Sequence, residues 1–106
     1  MTHTEIDSRS LLLHEQIAAK LGADPYLLRI AENNLSRWER SHAVDPRIIT
    51  VWREHLALPL AELLVLLVST DEEAALLRQN SPFAGILGPR EVWAIKKQRR
   101  HDTDAA

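Results

Sequence analysis

The chain has 106 residues, 45% of them hydrophobic and 26% charged, which describes one ordinary globular domain rather than two. It contains no cysteine, which excludes disulfides, thiolate nucleophiles and cysteine-based zinc sites, and a reducing cytoplasmic setting is expected. The net charge of −2 argues against strong nonspecific binding to nucleic acid.

The opening MTHTEIDSRS is polar, without the apolar run of a secretory signal, and residues 1–7 are expected to be a flexible start. Ser8 or Ser10 can cap a first helix reaching about Leu21. Its Leu13, Ile17 and Leu21 stand four apart and stack on one face, and Gly22 is expected to end it. Asp24-Pro25 reads as an N-cap followed by proline at the first helical position. The second helix then runs to about Ser41, with Leu28, Ala31, Leu35 and Trp38 as its buried stripe and Arg29, Glu32, Arg37, Glu39 and Arg40 turned toward water. Asp45-Pro46 repeats the device and opens a third helix to about Ala57, with Ile48, Ile49, Trp52 and Leu56 on its apolar face.

Pro59 starts a fourth helix, since proline is tolerated at a helix start but not inside one. From Leu60 to Val68 the only polar residue is Glu62. A helix apolar all round is expected to be buried on every side, so this segment is expected to be the central rod of the fold. The whole apolar run, residues 56–68, is too short to span a bilayer, which needs about 20 residues. Thr70 and Glu73 have the spacing of a capping box and open a short fifth helix through about Gln79. NSPFAGILGP, residues 80–89, holds two of the three glycines and two of the five prolines and is a loop. Its Phe83, Ile86 and Leu87 are more large apolar side chains than a surface loop needs, so it is expected to fold down onto the core. Gly88-Pro89 opens a sixth helix carrying Val92, Trp93 and Ile95 and ending in KKQRRH, and residues 102–106 are expected to be a disordered tail. No segment alternates as a half-buried strand does. The expected fold is all-α: one domain over residues 8–101, a bundle of five or six helices around the apolar fourth.

No motif dictates a chemistry. His14-Glu15 begins like HExxH, but Ala18 stands where the second histidine must be, and His3, His42, His55 and His101 are scattered singly. No serine sits in GxSxG, and there is no glycine-rich phosphate loop. Asp24, Asp45 and the acidic run 71–73 are explained by capping and the helix dipole. The chain is therefore expected to have no catalytic residue, no metal site and no cofactor.

Two patches invite a partner. Residues 1–89 carry eight basic and twelve acidic side chains, whereas residues 90–101 carry five basic and one acidic. Lys96, Lys97, Arg99 and Arg100 therefore form a basic cluster at the end of a mildly acidic body. As a plain solvated helix end they complement the dipole; as a site they would meet an acidic partner. Arg78, Gln79 and Asn80, beside the loop, either hydrogen-bond its backbone or form the rim of a partner site with Phe83 and Trp93 at its centre. Residues 16–35 also pass a loose helix-turn-helix test, with Ala18, Gly22 and Leu28 in place and Tyr26, Arg29 and Asn33 as contacts to bases. Asp24 and Glu32 would repel phosphate on that face, and a structural helical corner is the favoured reading.

The run LHEQIAAKLGADPYLLRIAENNLSRW, then VWREHLALPLAELLVLLVSTDEEAALLRQNSPFAGIL, then REVWAI, resembles a group of small bacterial all-helical proteins with an LRQxSPFAGxL-like segment near the C-terminus. The resemblance covers residues 9–95 and implies an antitoxin-like partner of a toxin; it brings no catalytic residue with it. The expected function is a non-catalytic protein-binding module, in its specific form an antitoxin that neutralises a cognate toxin by direct contact. The alternatives are a helix-turn-helix regulator using residues 16–35 and an accessory subunit of an enzyme. A homo-oligomer is compatible with each, and no membrane association is expected.

Overall fold

Two aspartate–proline pairs set the corners of the chain. Asp24 accepts from the Tyr26 amide at 3.3 Å, and Pro25 begins a 3-10 turn, Pro25–Leu27, that leads straight into the second helix. Asp45 accepts from the Arg47 amide at 2.9 Å, and Pro46 begins the third. Each carboxylate satisfies an amide that a helix start leaves orphaned, and each proline stands where its missing N–H is no loss.

The computed structural model describes the backbone of residues 3–105 and the side chains of residues 8–97. In chain order the helices are α1 (His3–Ala23), α2 (Leu28–Ser41), α3 (Pro46–Leu56), α4 (Leu60–Leu67), α5 (Glu72–Arg78) and α6 (Pro89–Ala105). There is no strand among the described residues, and the all-α bundle expected from the sequence is what forms. α1 begins ahead of the serines expected to cap it and runs one residue past Gly22. The flexible start 1–7 and the disordered tail 102–106 expected from the sequence lie outside the described side chains. α5 is capped by Asp71, which accepts from the Ala74 amide at 2.8 Å and from the Ser69 hydroxyl at 2.7 Å. The expected Thr70–Glu73 box is thus replaced by a charged acceptor one residue later, and a charged acceptor makes the stronger cap.

The apolar fourth helix is not the rod at the centre. Leu63 and Leu67 are fully buried, Leu60, Leu64 and Leu66 are half-buried, and Val65 is 69% exposed. α4 has only eight residues, about two turns, and it packs on α1 and α5 with one side left in water. The element the others gather on is α1, which packs against α4, α5, α6 and the 3-10 turn. Its 21 residues make it long enough to touch them all, and it buries Ile17 and Leu21 on the face its sequence predicts. α2 and α3 form a second pair, joined face to face.

Between these two groups lies the segment 79–88. Phe83 is 1% exposed and meets two rings edge-on: Trp52 of α3 at 5.4 Å between centroids and His14 of α1 at 6.1 Å. Ile86 and Leu87 are buried beside it, so the loop folds into the core as expected and fills the seam between the helix groups. No helix of the described residues is long and apolar enough to cross a membrane.

Candidate partner-binding groove

A loop that enters a core must bring partners for its backbone, because an unpaired buried carbonyl is costly. Here the helices supply them from the side. Trp52 Nε1 donates to the Asn80 carbonyl at 2.7 Å. Asn34 Nδ2 donates to the Pro82 carbonyl at 2.7 Å and to the Ala84 carbonyl at 2.9 Å, while its own carbonyl oxygen accepts from Arg37. Lys20 Nζ donates to the Ile86 carbonyl at 2.9 Å. His14, buried at 4% exposure, lies 2.7 Å through Nδ1 from the Ser10 carbonyl, so Nδ1 carries the proton. In the neutral ring Nε2 then accepts from the Ser81 hydroxyl at 2.8 Å. Gly85 has φ +99°, a left-handed conformation that favours glycine and lets the chain turn back toward Ile86.

The exit from the loop is tied just as closely. Glu91 accepts from the Gly88 amide at 2.9 Å, the glutamate half of a capping box for α6. The same oxygen pairs with Lys20 at 2.6 Å. The Lys20 ammonium, and after it the Gly88 amide, hold the Glu91 carboxyl below the usual glutamate range.

Two clefts adjoin on the outer side of this loop. One, of about 320 Å³, lies between α1, the end of α5 and the loop, with Leu13, Gln79 and Ser81 on its walls and Phe83 at its floor. The other, of about 540 Å³, opens onto α6 and is lined by Pro89, Trp93 and Lys96. Gly85, Leu87 and Val92 line both, so the two form one groove along the loop and the start of α6. Trp93 is 61% exposed at its edge. Lys96 and Lys97 follow it by three and four residues, which places all three on one side of the helix.

The structure thus brings Arg78, Gln79, Phe83, Trp93 and Lys96 to a single groove. Two of them do something other than what their residue types suggested. Arg78 is 4% exposed and donates to the Ser69 carbonyl at 2.6 Å, with the Leu67 carbonyl at 3.4 Å. It closes the C-terminal end of α4 rather than standing on a rim, as a cation near a helix C-terminus does. Phe83 is a plug in the core, not a projecting anchor; the exposed aromatic lining the groove is Trp93. Asn80 has an exposed side chain that does not line the groove, and it serves through its backbone carbonyl. Lys97 is exposed outside the lining, and Arg99 and Arg100 lie outside the described side chains.

Tyr26, Arg29 and Asn33 are all exposed, and none lines the groove. Arg29 stacks on Tyr26, with its guanidinium carbon 4.2 Å from the ring centroid, and donates to the Tyr26 hydroxyl at 2.8 Å. Asp24 and Glu32 are exposed on the same stretch of chain.

Asn34, Lys20, His14 and Trp52 hold the site together, and sequence reasoning gave none of them that role. A signal existed for Asn34: it falls between Ala31, Leu35 and Trp38 on the apolar stripe of α2, where a polar residue needs a buried partner. His14 likewise sits next to Leu13 and one turn before Ile17 and Ala18. Among the described residues no group of three or more His, Cys, Asp or Glu side chains could hold a metal ion. Comparison of the chain with protein-family models, with curated proteins and with solved structures finds no match.

Proposed function

We propose that this chain is a non-catalytic protein-binding module whose groove along the loop 79–88 and α6 takes an acidic, partly apolar segment of a partner protein. The observation that carries the reading is Trp93, a large aromatic left 61% exposed on a groove wall whose neighbours Leu87 and Val92 are apolar, with Lys96 at the rim. Exposed aromatics beside an apolar groove are where binding energy concentrates, and rim cations select an acidic partner and speed its capture. The ordered hydrogen bonds beneath the loop favour a groove that exists before the partner arrives, which lowers the entropy lost on binding.

In its specific form the partner is a toxin that the chain neutralises by direct contact. The support is the resemblance carried by LRQNSPFAGIL, whose residues build the groove floor, and the absence of cysteine fits a cytoplasmic site of action. DNA readout by residues 16–35 is the less supported reading, since Arg29 is occupied by Tyr26 and flanked by exposed carboxylates.

The test is selection of acidic amphipathic peptides from a displayed library, followed by binding of the selected peptide to variants. Trp93→Ala should weaken binding about tenfold or more. Lys96→Ala with Lys97→Ala should mainly slow association and flatten its salt dependence. A library that yields no binder, or a binder indifferent to Trp93→Ala, refutes the groove.

A further inference from the structure

We infer that the groove also takes a second copy of this chain, docked through the edge that α4 and α5 present to solvent. The inference rests on the reading of the groove as a site for an acidic, partly apolar surface, and the molecule itself carries one. On α4, Ala61, Glu62 and Val65 are exposed; on α5, Glu72, Glu73 and Leu76 are exposed. Val65 and Leu76 stand 69% and 60% in water, large apolar side chains on a pair of helices that pack against each other.

Charge complements that edge to the groove. Residues 60–77 contain four carboxylates, Glu62, Asp71, Glu72 and Glu73, and no lysine or arginine. Beside the groove Arg90, Lys96 and Lys97 are exposed cations, and Glu91, the one carboxylate among residues 89–97, is paired with Lys20. A surface of acidic and aliphatic groups therefore faces, on the next molecule, a surface of basic and aromatic ones. Opposite potentials of this kind steer encounter and fix orientation, while Val65 and Leu76 supply apolar area for Trp93, Leu87 and Val92.

None of Glu62, Val65, Glu72, Glu73 and Leu76 lines the groove, so donor and acceptor surfaces are distinct. A contact between distinct surfaces is head-to-tail: it grows past the dimer or closes into a ring. A foreign partner that enters the groove then competes with self-association and breaks the assembly down.

Sedimentation of the full chain over a concentration series tests this. The average mass should rise with concentration, and added salt should move the association midpoint about tenfold higher. Lys96→Glu/Lys97→Glu and Glu72→Lys/Glu73→Lys should each leave a monomer with an unchanged far-ultraviolet circular dichroism spectrum. Mixing the two variants should restore association, because each reversed groove now meets a reversed edge. A wild type that stays monomeric overturns the inference, and so does an assembly unaffected by either charge reversal. The selected peptide, titrated into Glu72→Lys/Glu73→Lys, whose groove is untouched, separates the two readings. If the peptide binds while wild type stays monomeric, self-docking is wrong and the groove stands; if it does not bind, the groove reading itself fails.

Discussion

Replacing Asn34 with alanine removes the support of two loop carbonyls at once. The Pro82 carbonyl is buried and loses its 2.7 Å donor; the Ala84 carbonyl is nearer solvent and loses one at 2.9 Å. An unsatisfied buried acceptor costs about 1–3 kcal/mol, and less where water reaches it. With one carbonyl fully buried and one partly wet, Asn34→Ala should destabilise the domain by about 2–4 kcal/mol. Asn33→Ala, one residue away and exposed, should fall within about 0.5 kcal/mol of wild type. Asn34→Asp keeps the shape and the Arg37 contact but turns oxygens toward oxygens, so it should be at least as damaging as alanine. Urea unfolding followed by circular dichroism gives the midpoint and slope for each variant. Amide exchange at Phe83 and Ile86 shows whether the loop loosens before the helices do. If Asn34→Ala matches Asn33→Ala in both measurements, the loop does not depend on these bonds and the packing argument is wrong.

The two sides of α4 should respond oppositely to the same change: Leu63→Asp puts an unpaired charge into the core and should unfold the domain, whereas Val65→Asp, on the wet side, should leave the melting temperature nearly unchanged. Acid should destabilise the fold through its caps. The Ala74 amide and the Ser69 hydroxyl hold Asp71 below its ordinary value of 3.8, and Lys20 with the Gly88 amide hold Glu91 below 4.5. A carboxyl whose folded pKa is depressed adds stability above its unfolded value and loses it as pH falls through the folded one. Melting temperature should therefore decline as pH drops below 4.5, and Glu91→Gln should make that decline shallower; an identical acid profile for the variant would show that the Lys20–Glu91 tie contributes nothing.

What could be read from the chain was what depends on near neighbours. Asp24-Pro25 and Asp45-Pro46 carry their own instructions, because cap and proline act within a single turn. The inward fold of the loop was legible because Phe83, Ile86 and Leu87 together exceed what a surface loop exposes. The place of α4 was not. An apolar run says that a helix has an apolar surface, not that neighbours cover all of it, and a helix of two turns has too little length to organise the rest. Nor could the loop's polar supports be read. Asn34 meets Pro82 across 48 positions of chain and His14 meets Ser81 across 67, and no local pattern encodes such pairings. Arg78 reaches back only nine positions to Ser69, yet its duty was hidden too, because its charge looked available until the turn after α4 was seen to bring the end of that helix beside it. Trp93 and Lys96, three positions apart on α6, both stand exposed.

Whether the groove is the binding surface is read most directly by titrating the selected acidic peptide into isotope-labelled protein and following backbone amide shifts residue by residue. The largest changes should cluster at Gly85, Leu87, Val92, Trp93 and Lys96, with Tyr26, Arg29 and Asn33 undisturbed. Shifts concentrated on Tyr26, Arg29 and Asn33, with the groove amides unmoved at saturation, would contradict it.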